Sequence, residues 1–149
     1  MPPTSAEIEA ADRLTRRRAR ILPAVGAIFL AQQAAYFAEP DAPARLVDNV
    51  KIGAWLLLSI VLLLALATGG FWLKPKRVRA LMDDDTARSN RAQALGLAFL
   101  VTMTVAILLY GVNLYEPMSG QETIHLLVSV GIVTGLFRFV YLERRDLKE

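Results

Sequence analysis

Four long apolar runs, separated by short polar segments, organise this chain. Residues 21–38, 52–73, 94–115 and 123–142 contain only two members of the set Asp, Glu, Lys, Arg and His, namely His125 and Arg138. A helix needs about 20 predominantly apolar residues to cross ~30 Å of hydrocarbon, and each run comes close to that length or meets it. The pattern predicts an all-α polytopic membrane protein, a four-transmembrane-helix bundle spanning residues 21–142. A basic segment (1–20) precedes it, a polar connection (74–91) divides it, and a charged tail (143–149) follows. Thr4-Ser5-Ala6-Glu7 has the form of a capping box, so a short helix is expected to run into the first crossing, with Pro23 in that crossing's first turn. No Pro or Gly interrupts Thr86–Leu95, which places the start of the third helix near Thr86.

Within the spans, small and polar residues mark the expected contacts. Ala27, Ala31 and Ala35 recur at four-residue spacing and make a flat side for close helix approach, and Gly131-x-x-x-Gly135 does the same in the fourth span. Gln32, Gln33 and Asn113 carry amides that need partners in lipid. Trp55 and Trp72 fall near the two ends of the second span, as interfacial anchors do. Arg138 lies about one turn from its membrane boundary and can snorkel to it. Glu39-Pro40 and Glu116-Pro117 close the first and third spans, and Gly53 and Gly131 follow at similar distances. That spacing hints at two tandem helical hairpins.

Composition agrees: 54% of residues are hydrophobic and 21% charged, against about 25% charged in soluble domains. Without cysteine there is neither a disulfide framework nor a thiolate site. Fourteen of the seventeen Lys and Arg lie in 1–20, 74–91 and 143–149, and Arg138 joins them. Only Arg45 and Lys51 lie on the other side, facing five carboxylates. The positive-inside rule then puts both termini in the cytoplasm. The arginines before residue 21 resemble a signal-peptide n-region, with Ala42-Pro43-Ala44 as a cleavage-like site, but an 18-residue run exceeds a usual h-region, and an uncleaved crossing is expected. No nucleic-acid-binding motif accompanies the basic charge.

Chemistry is sparse. No carboxylate lies within a span, so the embedded acid on which small multidrug exporters rely is missing. His125 is a single histidine near the outer interface, where haem or zinc would require further ligands. It is expected to be a hydrogen-bonded packing residue. No enzyme activity, cofactor or metal is expected.

The densest polar features are Lys76, Arg77 and Arg79, then Asp83, Asp84, Asp85 and Arg88. Helix capping uses one or two of the three acids. The remaining mixed-charge surface suits a protein partner. The stretch Asp83-Asp84-Asp85-x-x-Arg88-x-Asn90-Arg91, followed by Leu114-Tyr115-Glu116-Pro117, Arg138-Phe139 and Glu143-Arg144-Arg145, resembles a loose group of small, uncharacterised four-helix bacterial inner-membrane proteins. Members are often encoded beside a helix-turn-helix transcription regulator. The resemblance covers the C-terminal half and implies a membrane sensor that holds or releases a cytoplasmic regulator. Two other readings stay open. One is an accessory or assembly subunit of a larger membrane complex. The other is a small channel or transporter lined by Gln32, Gln33, Thr102, Thr104 and Asn113. The expected partners are the lipid bilayer and a cytoplasmic or membrane protein, with homo-oligomers allowed.

Overall fold

The apolar runs become helices because a backbone in hydrocarbon must satisfy its own N–H and C=O groups. The computed structural model describes residues 4–38, 46–69 and 85–146. They form four long helices: α1 (Ser5–Ala38), α2 (Leu46–Thr68), α3 (Asp85–Asn113) and α4 (Gly120–Asp146). Among the described residues there is no strand. Three of these helices are long and apolar enough to cross a membrane: α2 from Val50, α3 and α4.

The N-terminal helix and the first apolar run are one 34-residue element, ~51 Å long at 1.5 Å per residue. Pro23 therefore lies in a helix interior, not in a first turn. A proline there removes one backbone donor and normally breaks or kinks a helix. Here contacts on both sides hold it: Leu22 and Val25 pack against the core, and Arg18 and Gln33 bond to α4.

The second helix stops at Thr68, five residues before the apolar run ends. Gly69 follows with φ +73°, the left-handed conformation that closes many helices. The apolar run did not mark that boundary, because residues 69–73 carry no charge; the Gly69-Gly70 pair is the stop signal. The third helix begins at Asp85, one residue ahead of expectation, with that carboxylate in the first turn. The turn from α3 to α4 is tightly bonded. Asn113 Oδ1 accepts the Met118 amide at 2.7 Å. Ser119 and Glu122 form a reciprocal capping box, with the Ser119 amide donating to Glu122 Oε2 (2.9 Å) and the Glu122 amide to Ser119 Oγ (3.2 Å).

The central helix is α4, which packs on all three others. Phe29 of α1, Leu62 and Leu66 of α2, Ala94 of α3, and Ile132, Leu136 and Phe139 of α4 form the core. The outer faces of α2 and α3 are apolar as well, with Leu57, Ile60, Phe99, Leu100, Ile107 and Leu108 exposed. Continuous apolar exteriors of this kind belong against lipid.

Candidate functional site: two polar layers between the helices

The core is bounded by two polar layers. At the end where α4 finishes, Arg18 of α1 reaches across to α4 and α2. Its Nε donates to Glu143 Oε2 at 2.9 Å, and Nη2 pairs with Oε1 of the same carboxylate. Nη1 donates to the Gly69 carbonyl at 2.8 Å. The guanidinium carbon stands 5.0 Å from the Phe139 ring centroid, within cation–π range. The two charged side chains are only 9% and 5% exposed, so this is a buried ion pair.

Neighbouring groups extend the clamp to α3. Arg91 Nη1 makes a longer contact, 3.5 Å, with the Ala67 carbonyl. Two guanidinium groups thus meet the free carbonyls at the C-terminus of α2, where the helix dipole favours cations. Buried Asn90 donates to Asp146 Oδ2 at 2.6 Å. All four helices are therefore tied at one level. Gly69 suits this level because its φ of +73° would strain any other residue, and a Cβ there would also stand 3.1 Å from Arg91 Nη1.

The second layer lies toward the opposite end. His125 of α4 is buried and its Nε2 is hydrogen-bonded to Gln33 Oε1 of α1. The Trp55 ring of α2 stacks on the imidazole, with centroids 4.1 Å apart and an 18° interplanar angle. Ser129, one turn on, donates to the His125 carbonyl at 2.6 Å. Gln33 Nε2, Trp55 Nε1 and Ser59 Oγ are buried without a hydrogen-bond partner. Among the described residues, no group of three His, Asp or Glu side chains is placed to hold a metal ion.

Several residues singled out in the sequence take other positions. Trp55 is 7% exposed and stacked on His125, so its ring packs between helices. Ala27 and Ala31 face outward; α1 instead presents Gly26, Phe29 and Gln33 inward. Helical spacing marks a stripe of small residues but not which way it faces. The side chain of Ala35 lies outside the described set, as do Trp72, Lys76, Arg77, Arg79, Asp83 and Asp84. Asp85 and Arg88 are exposed on the first turns of α3. Arg138 is half-buried with its guanidinium 5.6 Å from the Tyr141 ring centroid. Gly131 and Gly135 meet neighbouring helices closely: Cβ atoms there would stand 2.9 Å from Thr102 Oγ1 and 3.1 Å from Leu66 Cδ1.

The five polar residues of the pore reading differ in exposure. Gln33 is buried and Gln32 half-buried, while Thr104 and Asn113 are exposed. Thr102 and Thr104 return their hydroxyls to the carbonyls of Ala98 (2.8 Å) and Leu100 (2.9 Å). Both hydroxyl protons are thus used within α3, while the oxygens stay available as acceptors.

No family model, curated protein or solved structure matches this chain. What the two layers can do must therefore be read from their own geometry. The Arg18–Glu143 pair was not legible as a pair, since Arg18 stands in a run with Arg16, Arg17 and Arg20. One signal was available: Arg18 has Leu14, Ile21 and Leu22 on its own helical face, as Glu143 has Leu136 and Phe139.

The Gln33–His125 bond should couple measurably. In a Trp72→Phe background, Gln33→Leu, His125→Leu and the double variant form a cycle. A coupling of about 0.6–1.7 kcal/mol is expected for a hydrogen bond between membrane helices. His125→Leu should also shift the Trp55 emission, because it removes the stacked ring. Additive variants with unchanged emission would show that the layer does not hold the helices together.

Proposed function

We propose that this chain is a four-crossing inner-membrane protein with both termini in the cytoplasm, acting without chemistry of its own as the membrane-held regulatory partner of a cytoplasmic protein. The observation that carries this reading is the clamp on Arg18. It sits on a helix that runs unbroken from an exposed basic arm to the buried Gln33. A rearrangement among the spans would therefore tilt the arm as a rigid lever. The fourth crossing is assigned to the C-terminal half of α1, which shares the core of the other spans through Phe29, Leu22 and Val25. The charge asymmetry supports the orientation. Arm, exposed start of α3 and the Lys76–Asp84 region then share the cytoplasmic face, where mixed charge orients a partner more than it raises affinity.

Two experiments test this. Reporter fusions after Pro43, Ala80, Gly120 and Glu149 should read outside, inside, outside and inside; an external Ala80 overturns the map. Tagged protein purified from native membranes in mild detergent should retain a soluble partner. Replacing Asp83–Asp85 with Asn, or Arg77 and Arg79 with Glu, should release it. Variants that insert normally and keep the same partners as wild type would reduce the loop to a connector. A membrane-integral partner that survives both changes would favour the accessory-subunit reading.

A further inference from the structure

Between α1, α2 and α4, at the level of the clamp, lies a cavity of about 330 Å³. It exists because α1 and α2 both pack on α4 but contact each other little. Its walls are Leu14, Ile21 and Leu22 of α1 and Leu66 of α2, and its floor is Leu136 and Phe139 of α4. The volume falls at the lower end of the ~300–1,000 Å³ range of small-molecule sites. Its charged lining is cationic: Arg18, already neutralised by Glu143, and Arg17. Arg17 is exposed, and Arg13 and Arg20 lie four residues before it and three after it on α1, so the three share one helix face and are all exposed. Among the described residues, the acid paired with this stripe is Glu9, in an exposed and long contact of 3.8 Å with Arg13.

We propose that this cavity binds an anionic phospholipid, one acyl segment lying on Leu22, Leu66 and Phe139 and the phosphate held at Arg17. The inference rests on the membrane reading above, which puts this end of the helices at a headgroup layer. Basic pockets between membrane helices on the cytoplasmic side are suited to anionic headgroups. The apolar walls explain why an amphiphile fits better than a free anion. The buried clamp explains why the cavity keeps its shape, since Arg18 is fixed by three bonds and does not swing into the space. Occupancy would sit against the clamp that fixes the N-terminal arm, so the lipid is placed to bias the arm's position.

The test uses the purified full chain in a neutral detergent, titrated with dioleoylphosphatidylglycerol or dioleoylphosphatidylcholine and followed by native mass spectrometry. The phosphatidylglycerol should be retained preferentially. Arg17→Gln should weaken it about fivefold, the effect of one cation at a membrane surface, and Arg17→Lys should restore most of it. Ala65→Phe, which fills the cavity from α2, should reduce retention of both lipids. Arg17 is exposed, so its variants test the site even if Ala65→Phe fails to fold. Equal retention of the two lipids, indifference to Arg17→Gln, or displacement by excess inorganic phosphate alone would each overturn the proposal. Lipid selectivity with an external Ala80 fusion would sink the orientation but keep the site. Lost selectivity with a cytoplasmic Ala80 would sink the site alone.

Discussion

Arg18→Met should destabilise the protein by about 3–5 kcal/mol, the range for removing one partner of a buried ion pair. The carboxylate of Glu143 would remain 5% exposed without its cation, and the Gly69 carbonyl would lose its donor. Glu143→Leu should cost about as much for the reciprocal reason. The double variant Arg18→Met/Glu143→Leu should recover most of the loss, because desolvating two charges offsets much of their attraction. Unfolding of the four proteins by dodecyl sulfate titration in mixed micelles closes the cycle. Arg13→Gln is the control: its pair with Glu9 is exposed, and such pairs contribute at most ~1 kcal/mol. If Arg18→Met and Arg13→Gln behave alike, the clamp does not hold the helices and the lever reading loses its basis.

Gly135→Leu should give the second large effect, about 1–3 kcal/mol or more from overpacking. A Cβ at 135 already meets Leu66 Cδ1 at 3.1 Å and Ala98 Cβ at 3.5 Å. Gly135→Ala is expected to be milder, because the end of a leucine side chain can rotate away. A longer side chain must push α4 off both α2 and α3. Against lipid there is little hydrophobic drive to restore contact, so lost close packing separates the helices. Gly131→Ala should also be felt, since Thr102 Oγ1 would have to move from 2.9 Å and loosen its 2.8 Å bond to the Ala98 carbonyl. The same titration ranks the three, and a Gly135→Leu protein as stable as wild type would show that α4 is not held by this contact.

These two sites differ in how far the sequence exposed them. The glycine pair was readable at four-residue spacing, although its partners were not. The Arg18–Glu143 pair was hidden, because its members are 125 positions apart and each stands among similar charges. Trp55 was readable as an interfacial aromatic and proved to be a stacking partner for His125. Its distance from the end of an apolar run suggested the interface, and only the neighbouring helices show that its ring is covered.

Hydropathy marked the apolar lengths of the helices but not all of their ends, and turn chemistry determined the tight α3–α4 connection through Asn113, Ser119 and Glu122. Tertiary structure alone decided which face of each helix points inward. A helix surrounded by lipid is apolar on every side, so the contrast that marks the buried face of a soluble helix is absent. Ala27 and Ala31 could therefore lie outward while Phe29 and Gln33 turned in. Likewise α2 could end at Thr68 inside an apolar run, because the Ala67 and Gly69 carbonyls at its end are met by Arg91 and Arg18 from other helices.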